Sequence, residues 1–528
     1  MITEFENFVE EHVNKVSELY RHKSMAHWRA AIGGGDDDYR KLAELEFRIG
    51  KIYSSRDDFE YLSGLLDEAE LPDQEKARTA RVLYLSYMGM QTSEDLLREI
   101  ADLSSSLQRK FNTFRPRLDG TEVTDNDIRE VLREENDSER RKQAWEAHKA
   151  VGEMIAGDMI RLVELRNRAA AEAGFDNYYA MSLYLSETDE KELFRTMDRL
   201  EELTREPFAE VKGKLDQIIS GEFGIPPEQI MPWHQIDPFF QRSRPLDGFD
   251  LDPLFDGRDL TRIAADYYGG LGMPVEDVLE RSDLYQRSGK SPHAFCLDID
   301  REGDVRILAN LRSDAKWMGT LLHELGHAVY DLHIDRELPF LLRKYPHYCL
   351  TEGSAMFFES MLNDPAWLEN RAGAKLSEKQ SRGLAAAASA QKLLFSRWCQ
   401  VMVRFERELY SNPGSDLNSL WWEMASRYQL VNPPPGRSSP DWCSKIHFVT
   451  SPVYYHNYIL GELVAAQLKN YIERHVTDSF QEDGAAMSDY LISSIYSRGN
   501  LYRWDRLMEK ATGQPLKPDY FADRLKEI

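Results

Sequence analysis

The stretch Leu321-Leu322-His323-Glu324-Leu325-Gly326-His327-Ala328-Val329 constrains this chain more than any other. Its apolar residues recur at helical spacing. Trp317, Leu321, Leu322, Leu325, Ala328 and Val329 make one broad face, and Ser313 or Asp314 can cap the start. Two histidines four residues apart on a helix point the same way, one turn above the other. That spacing lets both imidazoles hold one zinc ion, with Glu324 beside it as a base. A core helix with two hydrogen-bonded histidines is the plainer alternative.

A catalytic zinc site takes three protein ligands and leaves one position open. Residues 349–359 read as a second buried helix, ended by Asp364-Pro365. Glu352 sits at its start and is the expected third ligand. Glu359 lies two turns on, on the same face, where it can accept from a ligand imidazole. As an acidic residue it could equally be a solvated one.

The rest of the composition bounds the answer. The chain has 528 residues, 42% of them hydrophobic, enough for a large globular core. A net charge of −24 repels nucleic acid and anionic membrane alike, so neither is an expected partner. No stretch approaches the roughly 20 apolar residues of a membrane span. The N-terminus has no basic region followed by an apolar run, so no signal peptide is expected. Cys296, Cys349, Cys399 and Cys443 are scattered, which indicates neither a disulfide framework nor a cysteine metal site. A cytoplasmic protein, monomeric or weakly dimeric, is the resulting expectation.

Taken in order, residues 1–110 read as charged amphipathic helices, broken at residues 33–38 by a solvated turn. Long helices continue through residue 222, among them 162–173, ended by Gly174, and 190–219. Residues 223–258, rich in proline and aromatics, read as irregular. Helices return at 260–270 and 274–280. Residues 293–298 and 304–309 flank a turn and read as a hairpin, whose open edge could bind an extended peptide. Beyond the metal helices come an alanine-rich helical region at 376–411, a proline-rich loop at 432–440 and a helix reaching about residue 472. Helices close the chain over 487–528. The expected fold is predominantly α, with a small β-sheet beside the zinc helix.

Several motifs in one order resemble the zinc dipeptidyl carboxypeptidases related to angiotensin-converting enzyme, in a compact bacterial form. The resemblance spans roughly residues 160–470. His323, Glu324, His327 and Glu352 match the metal motif, and His293-Ala294 matches the substrate-binding strand thirty residues before His323. Trp233-His234-Gln235 matches a Trp-x-Gln segment. Trp421-Trp422 with Tyr428-Gln429 matches a segment before the proline loop. Lys445-x-His447 and, with one inserted residue, Tyr455-x-x-Tyr458 match the last block.

The resemblance implies a zinc peptidase acting on short peptides, built as two helical lobes around a deep active-site cleft. Residues 1–528 would form one domain, 1–110 a helical lid, and 223–470 the segment carrying the site. Gln235, Lys445 and Tyr455 would hold the substrate's C-terminal carboxylate, for which an amide, an ammonium and a phenol are suitable donors. His293, Ala294, His447 and Tyr458 would contact the peptide at the scissile bond, with Tyr458 and His447 as donors to the oxyanion. Met356 stands where the family often has an acidic residue. Ala425 and Asn457 stand where the animal enzymes bind chloride through arginines, which implies weak or absent chloride activation. Ala294-Phe295-Cys296 and the 24 residues between His327 and Glu352 also resemble the thimet oligopeptidase and oligoendopeptidase group. Endopeptidase action is therefore the second expectation. A catalytically silent peptide-binding protein and a structural zinc protein are the non-hydrolytic alternatives. The intact Glu324 and the count of three ligands speak against both.

Overall fold

A computed structural model of the chain describes residues 2–68, 71, 73–242, 244, 250–480 and 483–526. Positions 243 and 245–249 of the irregular 223–258 stretch lie outside the described residues. The fold is predominantly α, with two small antiparallel sheets of two strands each. Among the described residues no helix is long and apolar enough to cross a membrane. The chain divides into two compact units. One comprises Met1–Gln91, Asp250–Ser381 and Leu460–Phe521; the other comprises Thr92–Phe249, Arg382–Ile459 and Ala522–Ile528.

The first unit holds the His-Glu-x-x-His stretch on a helix, Ala315–Leu332, whose apolar face is buried as the spacing implies. Asp314 caps it, accepting from the Trp317 N–H at 2.8 Å. The second helix runs Tyr348–Glu359 and packs on the first. The approach is close because Gly326 has no side chain. A Cβ there would lie 2.6 Å from Ala355 Cα and 3.1 Å from the Ser354 carbonyl. Ser354 Oγ seals the contact by donating to the Gly326 carbonyl at 2.9 Å. The second helix stops at Glu359, passes into a 3-10 turn, and Asp364 then caps the next helix, Pro365–Ala372. Asp364-Pro365 therefore starts a helix rather than ending one, because Asp is a good cap and Pro suits a first turn.

The strands are Phe295–Asp298 and Val305–Leu308, antiparallel, with Phe295 opposite Leu308 and Asp298 opposite Val305. The hairpin forms where expected but is shorter. His293 and Ala294 fall outside it, and His293 sits exposed in a bend. Pro292 has no N–H to give a ladder, and the His293 N–H turns back to Ser291 Oγ. The outer edge of Val305–Leu308 is taken by Asp283. The first helix, Ile2–Ala31, reaches the hairpin through Trp28 and Ala31, which pack on Ile299 and Leu308. It also shares a core with the next three helices, where Phe5, Val16, Leu45, Leu62 and Leu83 meet. Asp36, Asp37 and Asp38 form the first turn of a helix, Asp36–Tyr53, not a loop. Three carboxylates at a helix N-terminus suit its dipole.

The second unit is built on long helices, chiefly Ser138–Glu172 and Glu190–Phe223. The Trp233-His234-Gln235 segment forms a short 3-10 turn, Pro232–His234, and both Trp233 and Gln235 are buried.

Replacing Gly326 by Ala forces a backbone clash between the two metal helices. We expect a loss of about 1–3 kcal/mol in stability, read as a lower melting temperature, together with weaker metal binding. An unchanged melting temperature would contradict this packing.

Candidate active site

His323, His327 and Glu352 bring ligand atoms within 4.8 Å of one another. The two imidazole centroids are 5.0 Å apart, and His323 Nε2 lies 3.7 Å from Glu352 Oε2. Two donors about 2.1 Å from one ion, at the tetrahedral angle, sit roughly 3.4 Å apart. The spacing therefore suits a single ion. Each imidazole also has its second nitrogen engaged. His323 Nδ1 donates to Glu359 Oε2 at 2.9 Å, and His327 Nδ1 shares a 2.7 Å hydrogen bond with Thr351 Oγ1. Both Nε2 atoms are thereby turned towards the triad. Glu359 occupies the place its spacing indicates. Thr351 carried no signal, since the residue before a helical ligand has no periodic reason to face the same site.

Burial sets the electrostatics. Burial pushes the Glu324 carboxyl up to about 7; the imidazole of His323 opposes this, while Glu352 and Glu359 add to it. The Glu324 carboxylate also accepts from the Cys296 backbone, which ties it to the strand Phe295–Asp298. Burial, then His323, holds His327 well below the usual imidazole range, the neutral form that a metal ligand needs. At His323 burial acts downwards, but the hydrogen bond to Glu359 and the nearby carboxylates outweigh it and raise the group to about 10. An incoming ion would have to displace that proton.

The second unit gathers most of the residues expected to bind peptide. The Lys445 ammonium lies 5.5 Å from the centre of the Tyr455 ring and also faces the rings of Phe239 and Trp398. Tyr455 is 5.1 Å from the His447 ring and 5.4 Å from the Tyr458 ring. The Trp398 indole donates to the Tyr455 hydroxyl at 3.1 Å. Burial pushes Lys445 down to about 8, against the pull of Asp237. Its ammonium donates to Gln241 Oε1 at 3.3 Å, and among the described residues no carboxylate lies within 4.0 Å of it. Gln235 is buried on the neighbouring segment, its carbonyl held by Arg141. His293, exposed in its bend, and Ala294 belong to the first unit with the metal triad. Ala425 and Asn457 are both buried.

Comparison with known proteins divides along the chain. A family model described as "Angiotensin-converting enzyme" matches residues 2–238, and one described as "Peptidase family M3" matches residues 279–527. The angiotensin-converting enzyme of Theromyzon tessulatum is 22% identical over 435 residues, 74% of this chain and 68% of its own length. An angiotensin-converting enzyme-related protein of Drosophila melanogaster is 22% identical over 535 residues, 90% of this chain and 81% of its own. Carboxypeptidase 1 of Bacillus subtilis is 24% identical over 269 residues, 45% of this chain and 53% of its own.

The chain is a metallopeptidase, similar to the angiotensin-converting enzymes in its first half and to peptidase family M3 in its second. Its substrates are peptides. Both matched families are zinc metallopeptidases, and the triad fits that ion. Two imidazoles and one carboxylate are a zinc donor set, and three ligands leave a coordination position open.

In this metallopeptidase, Thr351→Val and Glu359→Ala each release one imidazole from its partner. Each change should weaken zinc binding about 10–100-fold, measured by competition with a chelator. Wild-type affinity in both variants would contradict these roles.

Proposed function

We propose that the chain is a peptidyl-dipeptidase that removes dipeptides from the C-terminus of short peptides. The observation that carries this reading is Lys445. An ammonium buried without a carboxylate partner is costly unless an anion joins it. A peptide's free C-terminal carboxylate has the right charge, and the Tyr455 hydroxyl and the Gln235 amide are further donors for it.

His323, His327 and Glu352 would hold zinc. Bound there, zinc supplies a Lewis acid that acidifies water and polarises the peptide carbonyl. Glu324 takes the proton from the attacking water and passes it to the leaving amine. Its burial suits that shuttle, since a carboxyl titrating near neutrality both accepts and returns a proton. Tyr458, with His447, is assigned as donor to the developing oxyanion. His293 and the Ala294 backbone are assigned to align the peptide, which can extend along the hairpin edge beside Cys296. We also assign the N-terminal helices as a lid that restricts entry to short unfolded chains, all within one metallopeptidase domain.

A second reading is favoured by one finding. The half of the chain that carries the metal triad matches the M3 family, which supports cleavage inside oligopeptides. Mass spectrometry of products from one short peptide separates the two. The peptide is offered with a free and with an amidated C-terminus, each with and without a chelator. We expect stepwise loss of dipeptides from the free form alone, abolished by the chelator. Equal internal cleavage of both forms would overturn the peptidyl-dipeptidase reading in favour of the oligopeptidase.

A further inference from the structure

The helix Ser138–Glu172 carries three cationic residues that the mechanism does not use, and all three are buried: Arg141, Lys149 and Arg166. Their partners are unusual. Arg141 is fully buried and, among the described residues, has no carboxylate within 4.0 Å. Its donors go to backbone carbonyls instead: Nε to Trp233 at 2.8 Å, Nη2 to Gln235 at 2.9 Å and Nη1 to Glu135 at 2.9 Å. Arg166 gives Nη1 to the Phe448 carbonyl and Nη2 to the Val449 carbonyl, both at 2.7 Å. Lys149 gives Nζ to Ser444 Oγ at 3.2 Å, one residue before Lys445. Arg166 Nη1 also reaches the Tyr410 hydroxyl at 3.0 Å, and Glu406 lies near enough to favour its charge. For Arg141 the carbonyls carry the contact, and a buried cation whose donors go to carbonyls repays its desolvation poorly. The places these groups hold are not scattered. Arg141 grips both ends of Trp233-His234-Gln235. Arg166 and Lys149 grip the segment from Ser444 to Val449, which contains Lys445 and His447.

A fourth contact fixes the far end of that segment. Val453 has φ +54°, in the left-handed region that a β-branched residue seldom adopts. Its N–H donates to Glu406 Oε1 at 2.7 Å, and Glu406 is buried. Strain of this kind persists only where the surroundings hold it. Val453 lies two residues before Tyr455, so the turn it makes sets the start of the helix that carries Tyr455 and Tyr458.

We infer that Arg141 and Arg166, with Glu406 holding the Val453 turn, are positioning residues that aim Gln235, Lys445 and Tyr455 at the peptide's C-terminal carboxylate. The inference rests on the carboxylate-anchored reading of the site. None of the three need touch the peptide. They act by fixing the backbone from which the anchoring side chains project, and a displacement of about 1 Å at such a group can cost up to a hundredfold in rate.

The test is the ratio of kcat/KM for one peptide as free acid to that for its C-terminal amide. It is measured in the wild type, Arg141→Lys, Arg166→Lys, Val453→Gly and a control, Arg78→Met. Arg→Lys keeps the charge and loses the forked grip, and Val453→Gly removes the strain and slackens the turn. Arg78 is a buried arginine of the other unit, bonded to the Asn500 carbonyl at 2.9 Å and to the Asn500 side chain. We expect the wild type to favour the free acid. The two lysine variants and Val453→Gly should each lose about tenfold or more of that preference. The loss should come through KM for the free acid, with the amide little changed and Arg78→Met keeping the wild-type ratio. Should the lysine variants fail to fold, Val453→Gly carries the test. An unchanged ratio in the folded variants would overturn the inference, and so would an equal fall in Arg78→Met. A wild type that cuts both peptides alike would instead remove the carboxylate reading, and this inference with it.

Discussion

The contact between two helices at Gly326 is the constraint on which the rest of the first unit depends. Three ligand atoms can converge on one ion only if the helix of His323 and His327 and the helix of Glu352 nearly touch. Backbone at 2.6 Å from a notional Cβ leaves glycine as the residue that permits it. Similar reasoning applies behind the second helix. A Cβ at Gly461 would lie 2.8 Å from that of Glu352, and one at Gly353 would lie 2.4 Å from Val464 Cγ1. Close packing on both sides leaves the ligands little freedom, as a preorganised metal site requires.

That packing has an electrostatic consequence. Glu324 and Glu352 are held out of water within reach of two imidazoles, with Glu359 at the rim. Glu352 and Glu359 add to the rise of Glu324, the three carboxylates raise His323, and burial keeps His327 neutral. Such a cluster is unfavourable by itself and is relieved when a divalent cation neutralises it. In the second unit the sign is reversed. Lys149 and Lys445 are buried among aromatic rings, and among the described residues no carboxylate lies within 4.0 Å of either, an arrangement suited to a negatively charged group.

The metal half of the site was legible in the sequence because two independent patterns coincide there. The 3.6-residue apolar period sets the helix, and the four-residue histidine spacing sets which side faces the ion. Glu352 followed from the need for a third ligand, and Glu359 from its distance along the same helix. The place of His293 was misread, because Pro292 interrupts the ladder just before the strand begins. The start of the helix at Asp36 was also missed, since glycines followed by aspartates look like a turn until the helix dipole is considered. The buried cations of Ser138–Glu172 were beyond sequence reasoning. Arg141 and Arg166 look like solvated charges, because the carbonyls that satisfy them lie 92 and 282 residues away in the chain.

The central claim is that Glu324 moves the proton while His323, His327 and Glu352 hold the ion. It is tested most directly by measuring zinc content and peptide turnover on the same sample of Glu324→Gln. The amide keeps the shape and the Cys296 contact but cannot take a proton. The account predicts zinc retained at the wild-type level and turnover reduced by a factor of about 10²–10⁴. Turnover close to the wild type with zinc in place would contradict it.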